Sequence, residues 1–318
     1  MVAEIVVAGE ALIDLVVGTD GRVDAHPGGG PFNAARTMAR LGVPTTFLGR
    51  LAGDGFGRLL RERLAEEGVG IAVPEPSGCP STLAVVSLDD AGVASYSFYL
   101  DGTSVADLDY PAARRALPAG ATAVHLGSLG LLMEPVGTST ERLLADVPAG
   151  TLVLLDPNCR PGAVTDHDAF RKRVGVFARR ADIVKASVED LAYLYPDVPP
   201  AEAAAILLAG GPSLVLVTDG PHPARAFLPG AVLAEPVPVV TVADTIGAGD
   251  AFGGGFLAWW TTHGLGREDL RDEDLARGAL RTAAAVAALT CARPGADPPA
   301  RADLRARNWW PEPRSPGA

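Results

Sequence analysis

Asp244-Thr245-Ile246-Gly247-Ala248-Gly249-Asp250-Ala251-Phe252 follows an apolar, valine-rich stretch and opens a run with helical spacing. Without side chains at Gly247 and Gly249 the backbone approaches a ligand closely. Successive N–H groups at a helix N-terminus can converge on one anion there, helped by the helix dipole. The stretch therefore predicts an anion site built without lysine. Asp250 stands at the start of the helix, where a carboxylate either caps free N–H groups, worth about 1 kcal/mol, or reaches whatever those amides hold. This stretch alone does not separate the two.

A second glycine turn lies in the opposite half of the chain. Gly28-Gly29-Gly30-Pro31-Phe32-Asn33 leads into Ala34-Ala35-Arg36-Thr37-Met38-Ala39-Arg40-Leu41-Gly42. Asn33 offers a donor and an acceptor, which suits sugar hydroxyls, while a plain tight turn with Asn33 as helix cap is the other reading. Around the two turns, β-branched apolar runs at 5–8, 45–48, 123–126, 151–155, 182–185 and 214–218 read as strands. Helix-period stretches at 33–41, 56–67, 135–145, 169–179 and 201–208 lie among them. That β-α rhythm predicts a parallel sheet covered on both faces. Residues 12–24 and 83–99 break it; Tyr96 and Phe98 alternate with Ser95 and Ser97, as in half-exposed antiparallel strands, and both segments read as a small β-lid. Two long helices are expected at 251–263 and 275–290, with an irregular Pro- and Arg-rich tail after Arg293. Trp259 and Trp260 read as packing residues, and His125 as a strand-end residue in a ligand-facing loop or a satisfied core group.

Composition bounds the partners. The 318 residues are 48% hydrophobic and 20% charged, enough for a sizeable core. A net charge of −11 disfavours nucleic acid and anionic membrane surfaces. The lysines are Lys172 and Lys185, neither after a glycine-rich loop, which excludes a Walker-type P-loop. Cys79, Cys159 and Cys291 are odd in number and lack CxxC spacing, so a reducing compartment is expected and a disulfide framework is not. Residues 1–9 lack a basic n-region and read as a first strand, and no apolar stretch approaches the ~20 residues a membrane span needs. A cytoplasmic location is expected. A Rossmann oxidoreductase would carry G-x-G-x-x-G after the first strand, whereas Gly9-Glu10-Ala11 has one glycine.

Together the two glycine turns resemble the paired signatures of the ribokinase-like, or PfkB, family of carbohydrate kinases. The likeness runs from Gly9-Glu10-Ala11-Leu12-Ile13-Asp14 to Arg293-Pro294-Gly295-Ala296. Gly49-Arg50-Leu51-Ala52-Gly53-Asp54-Gly55-Phe56-Gly57, Asp156-Pro157-Asn158-Cys159-Arg160-Pro161 and Val184-Lys185-Ala186-Ser187 agree in between. The resemblance implies an α/β, ribokinase-like fold: a doubly wound, mainly parallel sheet flanked by helices, with a small β-sheet lid. One domain would span residues 1–300, its lid drawn from about 12–26 and 83–104, followed by a tail at 301–318.

It further implies ATP and Mg²⁺ as cofactors, Asp250 as catalytic base, and Gly247, Ala248 and Gly249 as an anion hole. Asp14, Gly28, Gly29, Asn33, Phe98 and Arg160 would face the sugar, and Asn158, Ser187, Thr218 and Gly220 the nucleotide, together with Ala248 and Gly249. Arg160 as a surface ion pair, and Thr218 with Gly220 as a plain strand-end turn, remain open readings. Relatives carry Asn-x-x-Glu where this chain has Ser187-Val188-Glu189-Asp190, so Asp190 would meet Mg²⁺ through water. Asp244 with the carbonyls of 292–295 resembles a monovalent-cation loop, which brings in K⁺. Some relatives have a nucleotide-contacting Asn near Ala284, where this chain has alanines.

Ketodeoxygluconate kinases tend to carry arginine after paired aromatics in the lid, and this chain has Leu100-Asp101, so a neutral sugar is expected. The pattern is most like fructokinases, with fructose 6-phosphate as product. Ribokinase, 2-keto-3-deoxygluconate kinase and a non-catalytic sugar-binding regulator are the alternatives. Exposed lid edges suggest a homodimer through the lid.

Overall fold

The computed structural model describes residues 4–18, 20–88 and 94–312, omitting the side chains of 87, 88 and 94–96. In chain order the elements are β1 (Ile5–Ala8), β2 (Leu12–Val17), β3 (Val23–Gly28), α1 (Gly30–Arg40), β4 (Thr45–Leu48), α2 (Gly55–Glu66), β5 (Gly70–Ile71), β6 (Leu83–Leu88) and β7 (Ala94–Tyr99). There follow α3 (Tyr110–Ala116), β8 (Ala123–Gly127), α4 (Val136–Asp146), β9 (Leu152–Asp156), α5 (His167–Ala178), β10 (Ile183–Ser187), α6 (Val188–Leu194), α7 (Pro200–Ala209) and β11 (Leu214–Thr218). The chain then runs through β12 (Ala224–Leu228), β13 (Ala231–Glu235), α8 (Ala248–Thr262), α9 (Glu273–Cys291) and α10 (Arg301–Arg305).

The main sheet has the order β13-β12-β11-β10-β9-β8-β1-β4-β5, parallel except where β12 and β13 close one edge antiparallel. Continuous apolar runs suit strands covered on both faces, and β1, β8 and β9 are buried along their whole length. One face packs under α1, α2, α8 and α9 through Phe32, Leu60, Phe256, Trp260 and Leu280. The other packs under α3 to α7 through Ala113, Leu143, Phe177, Leu191 and Leu207. The doubly wound α/β architecture is as expected.

Within the first layer, glycines set the spacing. A Cβ on Gly254 of α8 would fall 3.0 Å from Thr37 of α1, and one on Gly255 would fall 2.9 Å from Val286 of α9. Backbone therefore meets side chain directly, and alanine-rich α9 can lie close. Trp259 and Trp260 are buried, their indole N–H groups donating to Pro311 O (2.7 Å) and Gly266 O (3.0 Å), which is the packing role expected.

The lid is a four-stranded sheet in the order β3-β2-β6-β7. The wholly antiparallel expectation is corrected here: two antiparallel hairpins join through a parallel β2–β6 pair. Both hairpins leave the main sheet by their first strand, so those strands run the same way. The tail is also more regular than expected, because α10 and the buried Leu304 and Trp310 pack against the core. Residues 313–318 and the side-chain alternation at 95–96 lie outside the described residues.

β1 is flanked by β8 on one side and β4 on the other, so the strand order reverses there. In open α/β sheets a crevice opens at such a point, beyond the carboxyl ends of the strands. The residues after β1, β8, β9 and β10 line it.

Candidate active site

Asp250 is the third residue of α8, and Gly247, not Asp250, occupies the cap position. Gly247 adopts φ 75°, the left-handed region, and a Cβ there would lie 2.6 Å from that of Ala296, so glycine is required twice over. The capping alternative for Asp250 thus fails. Its carboxylate instead accepts from Asn33 Nδ2 at 3.0 Å and from Asn158 Nδ2 at 3.3 Å. Burial raises the Asp250 pKa, while Asn33, Lys185 and Arg160 pull it back down. Gly249 and Asp250 contribute first-turn N–H groups, which have no acceptor within their own helix, while Ala248 N–H donates to Thr245 O at 3.3 Å.

Asn33 is likewise not a cap. α1 begins at Gly30 with Gly29 as its cap, and Asn33 sits in the first turn, its own N–H bonded to Gly29 O at 2.9 Å. Asn158 holds φ 41°, unusual for a residue with a side chain, which turns its amide onto Asp250.

On the lid side, Asp14 lies opposite His26 across β2–β3. A Cβ on Gly28 would fall 2.1 Å from Asp14 Oδ2, so only glycine leaves room for that carboxylate. Burial, then Asp250, push the Asp14 carboxyl up to about 6, against the pull of Arg160 and His26. Phe98 is half-buried against a small cluster of Leu12, Ala84, Leu100 and Leu129 under the lid. Arg160 makes no ion pair among the described residues, which sets aside its surface-pair reading. Its Nη1 donates to Asn158 O (3.4 Å) and Cys159 O (3.2 Å), and its charge bears on Asp14 and Glu10.

Farther along the crevice, Ser187 and Thr218 end β10 and β11 side by side, and Gly220 follows at φ 50° beside open space. Ser187 and Asp190 form a reciprocal capping box on α6: the Ser187 hydroxyl accepts from Asp190 N–H, and Asp190 accepts from Ser187 N–H at 2.8 Å. The other Asp190 oxygen accepts from Cys159 N–H at 2.7 Å. Both Asp190 oxygens thus accept from backbone N–H groups, which fixes the carboxylate between α6 and the Asn158-Cys159 turn. No group of three His, Cys, Asp or Glu able to hold a metal occurs among the described residues. Asp244 accepts from Ile246 N–H (3.0 Å) and Gly295 N–H (2.8 Å), tying the 292–295 loop to the turn before α8. Cys159 is buried and its thiol pKa pushed up, in keeping with no nucleophilic role.

Several residues of the site escaped the sequence reading. Glu10, just past β1, is buried and accepts from Gly30 N–H and Gly130 N–H, both at 3.3 Å, pinning α1 to the end of β8. Burial raises its pKa. Lys185 and Asp156 form a buried ion pair at 3.0 Å. His125 is buried, yet neither ring nitrogen has a hydrogen-bond partner, so it is a core residue but not a satisfied one. Glu10 and Lys185 stand inside the motifs quoted above, and only strand register brings the second to Asp156.

Residues 2–303 match the model of the pfkB family carbohydrate kinases. A fructokinase of Rhizobium leguminosarum bv. trifolii is 36% identical over 80% of this chain and 78% of its own length. Among solved structures, the fructokinase of Xylella fastidiosa with bound ATP has a TM-score of 0.87 and 28% identity, covering 97% of this chain and all of that one. A double mutant of the Vibrio cholerae O395 fructokinase in fructose-, ADP- and potassium-bound form has a TM-score of 0.84 and 27% identity over 96% of this chain and 98% of its own. The mainly parallel sheet, its separate lid and the crevice at the strand ends are therefore those of a sugar-phosphorylating enzyme, and this chain belongs to the pfkB family of carbohydrate kinases.

Proposed function

We propose that this carbohydrate kinase transfers the γ-phosphoryl group of ATP to the 6-hydroxyl of fructose, giving fructose 6-phosphate. The observation that carries the reading is Asp250: a buried carboxylate, aimed by two amides and seated beside the open first turn of α8. In this reading Asp250 takes the hydroxyl proton, and the Gly247-Ala248-Gly249 turn binds phosphoryl oxygens through backbone N–H groups. The lid excludes water, and no phosphoenzyme is needed.

Asp14, Gly28, Gly29, Asn33, Phe98 and Arg160 then face the sugar, and Asn158, Ser187, Thr218 and Gly220 the nucleotide. A neutral sugar is supported by Leu100, which is buried in the apolar cluster under the lid and brings no charge to it. The named relatives support fructose in particular. Mg²⁺ would arrive on the ATP phosphates, since no cage of carboxylates occurs among the described residues. K⁺ is proposed at the Asp244 and 292–295 loop, and comparing rates in potassium and choline salts tests it. A cytoplasmic location and a homodimer joined by the lid complete the proposal; no helix among the described residues is long and apolar enough to cross a membrane.

A coupled ADP-release assay with MgATP against fructose, ribose and 2-keto-3-deoxygluconate tests the assignment. The highest kcat/KM is expected on fructose, with ³¹P NMR placing the phosphate on C6. Preference for ribose or the sugar acid would reassign the substrate. ATP binding without sugar-dependent ADP release would favour a regulator.

A further inference from the structure

Lys185 on β10, Asp156 at the end of β9 and His125 on β8 come from adjacent strands and face α8. The Lys185 and Asp156 side chains are each 3% exposed, with Nζ 3.0 Å from Asp156 Oδ2. That Nζ also lies 2.9 Å from where a Cβ on Gly249 would be, so the ammonium is seated directly against the Gly247–Gly249 turn. The second Asp156 oxygen and both ring nitrogens of His125 have no hydrogen-bond partner. A buried pair left partly unsatisfied contributes little to stability, so stability does not account for its place against α8.

The charges around Asp250 supply an account of it. Carboxylates face it from Glu10 after β1, Asp14 on β2, Asp156 on β9 and Asp190 on α6, and cations only from Arg160 and Lys185 among the described residues. Asn33 and Asn158 are neutral. His125 is held neutral, its pKa pushed down to about 3 by burial and by Lys185 itself. Burial works against the Lys185 ammonium, but Asp156, Asp190 and Asp250 outweigh it and keep the group charged.

We propose that Lys185 is a positioning residue for the transfer: its ammonium, seated against the Gly247–Gly249 turn, gives that turn a positive floor as phosphoryl charge develops and favours the carboxylate form of Asp250 over the protonated one. This rests on the reading of Asp250 as base. In the step itself, a sugar oxygen bonds to Pγ while the bond from Pγ to the β,γ-bridging oxygen breaks. The hydroxyl proton passes to Asp250, and ADP leaves with the bonding pair.

The rival account is that Lys185 merely balances Asp156, and a charge-neutral pair separates the two. In Asp156→Asn with Lys185→Met, balance is restored but the cation is gone. The proposal expects this double variant to keep a cooperative thermal transition yet lose on the order of 10²-fold in kcat, with little change in KM for ATP. It also expects the acid limb of the pH–kcat profile to move to higher pH in Lys185→Gln, because Lys185 is the strongest cation acting on Asp250, and to move less in the double variant, which also removes the Asp156 carboxylate. Lys185→Gln, which keeps a donor toward Asp156, is expected to show the same loss in kcat, and serves if the double variant does not fold. Wild-type kcat in either folded variant, or an unmoved acid limb in Lys185→Gln, with Asp250→Asn inactive, would overturn the role of Lys185 alone. An active Asp250→Asn would overturn the base assignment beneath it.

Discussion

The carboxylates of the crevice illustrate how burial sets chemistry one residue at a time. Asp14 holds its proton up to about pH 6, against an ordinary 3.8. The folded chain therefore binds more protons than the unfolded one between those values, and stability is lost as pH rises through that window. Asp14→Asn is expected to raise stability by about 3 kcal/mol at pH 8, with little difference below about pH 4, as measured by urea unfolding. Equal stability at pH 8 would contradict the burial argument. Gly28→Ala would drive a methyl group into Asp14 Oδ2; the sugar KM is expected to rise ~10-fold or more while the KM for ATP holds, since misplacing a contact group by an ångström is costly. Asp14, Gly28, Asn33 and Asp250 were legible because each sits inside a short motif. The Lys185–Asp156 pair was not, because residues 29 apart meet only once the register of β9 and β10 is known.

Among the elements, α8 has the most demanding packing. Its Gly253-Gly254-Gly255 run lets α1 and α9 approach, and through α1 it sets the distance from Asn33 to Asp250. Gly255→Val would press into Val286 of α9, and overpacking of this kind costs about 1–3 kcal/mol. A lowered thermal midpoint together with a fall in kcat is expected; a lower midpoint with unchanged kcat would show that α8 packing and Asp250 placement are uncoupled. The β-α rhythm, both long helices and the lid segments could be read from apolar periodicity. The parallel β2–β6 pair could not, because pairing direction depends on how two hairpins leave the main sheet rather than on either segment's pattern. The short α3 and α6 and the edge strands β12 and β13 gave too few periodic positions to stand out.

At the scale of the whole molecule, the reversal of strand order at β1 puts the crevice between the lid and α8, and residues from every third of the chain converge on it. No local pattern reports such a convergence; it became legible through the resemblance spanning the chain. The lid leaves Val23 on β3 56% exposed and Tyr99 on β7 59% exposed. If a second copy covers this sheet, sedimentation should find a dimer that Val23→Asp with Tyr99→Asp converts to an active but weaker-binding monomer; a monomeric wild type would exclude the lid interface. The central claim is that Asp250 acts as the base for transfer to a sugar hydroxyl. Rapid-quench single turnover of fructose with MgATP by Asp250→Asn tests it most directly. A loss of ~10²–10⁴-fold in the transfer rate with ATP binding intact is predicted, and transfer at the wild-type rate would contradict the account.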